Sequence, residues 1–143
     1  MNSEQLFTIA LGLTPPWKVD HLKFEKSKKN RSQLHIYLTF AKGSKFKDAT
    51  GQDCAIHDTK EKVWRHLDFF QHECYLHAKV PRIKTQAGKV QQVQVPWARP
   101  NSGFTLLFEA FSMSLIEHEM PVNKASNIVR VYPNRLWNVF KYW

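Results

Sequence analysis

The chain has 143 residues, 43% of them hydrophobic and 13% aromatic, with a formal net charge of +9. That length and apolar content suit one folded domain or two small ones and exclude a disordered tail. The excess positive charge favours a polyanionic partner, nucleic acid before an anionic membrane surface. No run approaches the roughly 18 apolar residues of a membrane span, Leu6 to Leu13 lacks the basic leader and cleavage site of a signal peptide, and two cysteines are too few to staple a secreted scaffold. A cytoplasmic protein with no membrane partner is expected.

In chain order, Ser3 to Leu11 reads as a short helix ended by Gly12 and Pro15-Pro16. Trp17, Val19, Leu22 and Phe24 alternate imperfectly, and Leu34, Ile36, Leu38 and Phe40 alternate strictly. The polar run Lys26-Ser-Lys-Lys-Asn-Arg31 lies between them, which predicts an antiparallel hairpin. Ala41 to Gly51 reads as a basic loop. A second β-rich block runs from Val63 to Val95, with Trp64, Leu67 and Phe69 in one strand and Cys74, Leu76, Ala78 and Val80 in the next. Val90, Val93 and Val95 mark a third, and Pro96 to Pro100 reads as a linker.

Beyond it, Phe104, Leu107, Phe108, Phe111 and Leu115 form an apolar stripe that predicts a helix opening near Asn101-Ser102 and ending near Glu119. A second helix from Lys124 to Val129, capped by Asn123, should turn Ala125, Ile128 and Val129 inward. Pro133 suits the first position of a third helix reaching Trp143, whose inward residues are Leu136, Val139, Phe140 and Trp143. The expected fold is therefore α+β: a short N-terminal helix, an antiparallel β module over residues 1–100, and a three-helix helix-turn-helix over 101–143. Trp17, Trp64, Leu67, Phe69 and Val95 should hold the first unit. Phe104, Phe108, Phe111, Ile128, Leu136 and Phe140 should hold the second.

From Met120 onward there is no acidic residue. On the last helix Asn134, Arg135, Asn138 and Lys141 share the outward face, and Lys124 and Arg130 flank them. Arg can fork onto guanine, Asn can bridge adenine, and Lys can neutralise a phosphate, so these are the expected DNA contacts. Arg130 sits where the turn of a helix-turn-helix often has glycine, and a left-handed backbone there would cost Arg on the order of 1 kcal/mol. The hairpin cations Lys26, Lys28, Lys29 and Arg31 suit phosphate contacts without sequence readout.

Cys54 and His57 have the spacing of half a zinc site, but a structural zinc needs four ligands and no second half is evident. His72, Cys74 and His77 do not share a strand face, and the scattered Asp20, Asp53, Asp58 and Asp68 specify no metal site. No catalytic residues are expected. Exposed Trp137, Tyr142 and Trp143 admit an alternative reading, a protein-interaction module.

The strings Leu11-Gly-Leu, Asp53-Cys-Ala-Ile-His-Asp58, Trp64-Arg-His-Leu-Asp68, Val80-Pro-Arg-Ile83, Val95-Pro-Trp-Ala-Arg99 and Ser102-Gly-Phe-Thr105 occur in order. With Val122 to Trp143, they make the chain resemble the N-terminal region of bacterial insertion-sequence transposases of the ISL-three family. That resemblance implies a zinc-binding β module and a helix-turn-helix that recognises terminal inverted repeats, followed in the family by an acidic-triad nuclease. Here Cys54 and His57 match the first ligand pair, while the second pair would fall at Thr85 and Gly88, which cannot ligate zinc in the usual way. These departures from the family pattern lead to the expectation of a chain without the nuclease domain and with no cofactor, Cys54 and His57 remaining the candidate ligands if zinc is kept. Its partners would be double-stranded DNA, a second copy of itself or a full-length transposase.

Overall fold

The computed structural model describes residues 1–118 and 120–143. Helix α1 (Ser3–Ala10) begins in a capping box, with Asn2 accepting from Gln5 N–H at 2.8 Å and the Gln5 side chain accepting from Asn2 N–H at 3.0 Å. Thr8 Oγ1 accepts from Val19 N–H at 2.9 Å, which docks the helix on the first strand.

Strands β1 (Trp17–Lys26) and β2 (Ser32–Phe40) form the expected antiparallel hairpin, pairing Phe24 with Leu34 and Trp17 with Phe40. A register shift between Val19 and His21 explains the imperfect alternation of β1. The basic loop contains a short strand, β3 (Phe46–Lys47), paired with β4 (Asp53–Cys54). Two long strands follow, β5 (Ile56–Phe69) and β6 (His72–Lys84), and a short one, β7 (Val90–Gln92), pairs with the far end of β6.

The sheet order is β1-β2-β6-β5. Three of its pairings are antiparallel, but β2 and β6 run parallel, with Leu34 beside Cys74 and Ile36 beside Leu76. The expected antiparallel module is thus two hairpins joined side by side through one parallel seam. Both centre strands bury the same face, so the period-2 patterns of β2 and β6 merge into one core. At its centre Trp97 packs edge-on against Trp17 and Trp64, with ring centroids 4.8 and 5.3 Å apart. Trp97 and Ala98 are buried, so the Pro96–Pro100 segment is a packed part of the sheet's core and not a free linker.

Three helices follow: α2 (Leu106–Glu117), α3 (Val122–Val129) and α4 (Pro133–Tyr142). Helix α2 starts four residues later than expected because Thr105 is the cap, its hydroxyl accepting from Phe108 N–H at 3.2 Å. Its expected end at Glu119 lies outside the described residues. Helix α3 starts earlier than expected, with Pro121 at the cap position, so Asn123 lies inside the helix and makes no cap.

The second core contains Phe104, Phe108, Ala125, Val129, Leu136 and Val139. Phe111, Ile128, Phe140 and Trp143, expected inside, are exposed: three short helices enclose only a narrow interior. Leu67 leaves the sheet's core and packs here instead, while Phe69 is exposed at the β5–β6 tip.

Backbone bonds join the two cores. Arg65 N–H donates to Gly103 O at 2.8 Å, Thr105 N–H donates to Arg65 O at 3.0 Å, and Arg65 and Phe104 form a parallel bridge. The fully buried carboxylate of Glu109 in α2 accepts both bonds from Arg99 Nε at 3.0 Å and one from Ser102 at 3.1 Å. No described helix is long and apolar enough to cross a membrane.

Candidate nucleic-acid interface

Helix α4 follows α3 after three residues, Arg130-Val131-Tyr132. Pro133 occupies its first turn, where no N–H is needed, and Leu136 and Val139 anchor the inner face. Asn134, Arg135, Asn138 and Lys141 are all exposed, as the periodicity requires, and so is Lys124 on α3. The guanidinium of Arg135 lies 4.5 Å from the Phe104 ring centroid, so the head group itself rests against that ring while the residue stays exposed.

Arg130 stands apart from this set. Its φ of 58° places it in the left-handed region, as the turn demands. Its side chain faces the sheet, with Nε donating to Asp68 Oδ2 at 2.6 Å and Nη2 donating to Gln71 O at 3.1 Å. Those bonds fasten the turn to the β5–β6 hairpin and compensate the strained backbone, so Arg130 is engaged by protein groups.

On the other side of the same region lies the β1–β2 turn. Ser27 N–H donates to Arg31 O at 2.8 Å, and Asn30 takes the left-handed position at φ 59°. Lys28, Lys29 and Arg31 are exposed on it, and Arg31 Nη1 reaches Glu73 at 3.4 Å. Between this turn and the start of α4 is a cleft of about 650 Å³ lined by Lys28, Lys29, Arg31, Arg135, Tyr75 and Tyr132 among others. Two basic clusters about a hundred residues apart in sequence thereby face one space. Lys26, Lys124, Asn134, Asn138 and Lys141 lie outside it, so the expected contacts divide between the cleft and the open face of α4.

The cleft floor holds groups that patterning does not single out. Arg65 is only 4% exposed, yet its Nη1 donates to His66 O at 2.7 Å and Cys74 O at 3.3 Å, and its Nη2 to Asp68 Oδ1 at 2.8 Å. Buried Glu73 accepts from Tyr75 Oη at 3.1 Å and lies 3.8 Å from Arg65. The only hint in the sequence is an Arg and a Glu inside otherwise regular strands, which fits a compensated buried pair as well as a surface one.

The zinc-ligand candidates do not converge. Cys54 is buried on β4 and its thiol donates to Asp48 Oδ2 at 3.8 Å and Gln52 O at 3.5 Å. Bonds from the Thr50 hydroxyl and Gln52 N–H hold Asp48 below the usual carboxylate range. Burial, and then this anion, push the Cys54 thiol up. His57 is exposed on β5. At the second position Thr85 and Lys89 close a turn, Thr85 N–H donating to Lys89 O at 2.8 Å, with Gly88 at φ 81°. Among the described residues no group of three or more His, Cys, Asp or Glu side chains is placed to hold a metal ion. The residues present do not fit a four-ligand zinc centre.

Residues 93–143 match the family model of the helix-turn-helix domain of transposase family ISL3. Residues 51–86 match that of the zinc-finger of transposase IS204/IS1001/IS1096/IS1165. No curated protein and no solved structure matches the chain. The first match spans the packed Val93–Thr105 segment with all three C-terminal helices, and the second runs from the β3–β4 turn through β6 to the Thr85 turn. Together they cover more than half of the sequence in consecutive order, and the chain belongs to the ISL3 family of transposases.

Proposed function

We propose that this chain binds double-stranded DNA with sequence specificity, recognising the terminal inverted repeats of an insertion sequence. The reading uses two units, the β module of residues 1–100 and the helix-turn-helix of residues 101–143. Helix α4 enters the major groove, where Arg135, Asn134 and Asn138 read base edges, while Lys141 and Lys124 lie near phosphates. The observation that carries the reading is the cleft that sets Lys28, Lys29 and Arg31 opposite Arg135. A duplex docked on α4 then passes the β1–β2 turn, whose cations and neighbouring Lys26 neutralise flanking phosphates. Arg130, bonded to Asp68 and Gln71, serves by holding the turn in place. No step of strand cleavage or transfer is assigned to the described residues, no metal is required, and the reading entails a cytoplasmic protein.

Fluorescence anisotropy of labelled duplexes carrying terminal repeats, against scrambled duplexes over a range of salt, tests the proposal. A preference of about tenfold or more, corresponding to about 1.4 kcal/mol, is expected, with affinity falling steeply as salt rises. Equal binding to both duplexes would remove the sequence-reading role of α4.

A second reading has its own observation: Trp137, Tyr142 and Trp143 are exposed near the end of α4. In that reading they dock onto another copy or a full-length transposase. Association that persists at high salt, and is lost with Trp137→Ala, would favour it.

A further inference from the structure

Strands β5 and β6 are joined by a two-residue tip, Phe70-Gln71. Phe70 is 83% exposed and has a φ of 53°. Tight hairpin tips of this kind favour Asn or Gly, because a β-carbon is disfavoured in the left-handed region. A large phenyl ring is here displayed to water in a backbone conformation unsuited to it, and it fills no core.

The ring nevertheless has an aromatic neighbour. It meets Phe69 edge-on at 4.9 Å between centroids, and Phe69 in turn packs on Phe7 of α1 at 5.4 Å. The tip is also tied to the helix-turn-helix: Arg130, in the turn just before α4, donates to Gln71 O at 3.1 Å and to Asp68 at 2.6 Å. The same turn therefore ties the backbone of the tip that carries the ring to the start of the candidate recognition helix. Asp68 and Glu73, each two residues from the tip, are both ion-paired, Asp68 with Arg65 and Arg130 and Glu73 with Arg31 and Arg65, so a polyanion approaching there meets compensated carboxylates.

We propose that Phe70 is a DNA wedge: with α4 against a duplex, its ring enters between neighbouring base pairs and kinks the DNA beside the recognition site. This rests on the double-stranded DNA reading above. Apolar side chains inserted at a base step unstack it and bend the duplex by roughly 20–90°. The occupant is a base step and not an apolar protein surface, because the tip is continuous with the helix-turn-helix turn and the chain as a whole is strongly cationic. The kink would favour end sequences with easily unstacked pyrimidine–purine steps at a position that α4 does not touch.

The test uses the full chain and duplexes enriched from a randomised library on the immobilised protein. Binding is followed by anisotropy, bending by energy transfer between dyes at the two duplex ends, and unstacking by 2-aminopurine placed at each step in turn. The wild-type chain should shorten the end-to-end distance and brighten 2-aminopurine at one step. Phe70→Ala should still bind but leave the duplex straight and the probe quenched, and Phe70→Leu should retain the kink. Exposure of the ring predicts an unchanged fold in Phe70→Ala. Should that variant not fold, Phe70→Gly, which suits the left-handed backbone, takes its place. Binding by the wild type to a duplex that stays straight, or bending by the ring-deleted variant equal to wild type, overturns the wedge alone. Failure to bind any duplex overturns the wedge together with the DNA reading.

Discussion

His66 offers a quantitative probe of the joint between the two cores. It follows Arg65 on β5, is largely buried, and its Nδ1 lies 2.8 Å from the hydroxyl of Thr105, the cap of α2. That hydroxyl also accepts from Phe108 N–H, and its remaining proton and lone pair let it either donate to or accept from the imidazole Nδ1. Burial, and then the neighbouring Arg65 charge, lower the His66 pKa from 6.5 to about 4. In the folded protein the ring therefore stays neutral until pH falls toward 4, whereas the unfolded chain takes up the proton near 6.5. Between these values the unfolded state binds more protons, so stability rises with pH: the contribution is complete above 6.5 and is lost as pH falls to 4. At 1.36 kcal/mol per pH unit the full contribution is about 3 kcal/mol, of which about 2 kcal/mol is lost by about pH 5. Thermal or urea unfolding at about pH 7.5 and about pH 5 reads this, the expected fall in melting midpoint being roughly 5–10 °C. His77, half-buried beside His35, is also lowered and adds a loss of the same sign. The informative quantity is thus the difference between wild type and His66→Gln, which keeps an acceptor but cannot ionise. If His66→Gln loses as much stability on acidification as wild type does, the reasoning fails.

Asp68→Ala should destabilise the fold by about 2–3 kcal/mol, because it leaves Glu73, at the longer distance, as the one carboxylate paired with buried Arg65 and removes the ion pair of Arg130; chemical denaturation measures it. Lys28→Ala or Lys29→Ala should lower the slope of log affinity against log salt by about 0.9 each, on specific and random duplexes alike. Arg135→Ala or Asn138→Ala should instead cost about 1–3 kcal/mol on the specific duplex only, and equal losses on both duplexes for all four variants would refute this division. A chelator should leave the melting midpoint unmoved, since Cys54 is a hydrogen-bonded thiol; a clear drop on chelation would show a metal contributing to the fold.

The parts legible in the sequence were those governed by local periodicity. The hairpin β1–β2, the strand β6 and the outward face of α4 follow from alternation at two and from the 3.6-residue turn, and each lies where its pattern puts it. Pairing between distant strands is not a local property, and nothing in Leu34-His35-Ile36 marks its neighbour as a parallel β6. Burial of Trp97 was hidden for a related reason: Pro96 and Pro100 mark a break in regular structure, but not whether the residues between them face water. Helical periodicity overstates the extent of the second core, since the stripe that carries Phe108 also carries exposed Phe111. The basic clusters were each visible, but their meeting in one cleft depends on how the helical unit sits against the sheet.

That seating gives the β module a role that a zinc finger's metal would not supply. At the two edges of the region matched to the family's zinc-finger, the Asp48 carboxylate organises one turn through Thr50, Gln52 and Cys54, and Thr85 closes the opposite one through Lys89. The ribbon between those turns is thereby held from within, while its far end supplies Arg65, Asp68 and Gln71 to the helix-turn-helix. An unattached helix-turn-helix would meet DNA with its α3–α4 turn free to adjust. Here a left-handed Arg130 is bonded to the tip of a long, well-packed hairpin whose Arg65 also bonds to the entry of α2. Fixing the turn fixes the angle at which α4 is presented relative to Lys28 and Lys29. Changes at Arg130 should therefore be read as changes in geometry: they alter specificity through placement of α4 while leaving the number of neutralised phosphates the same.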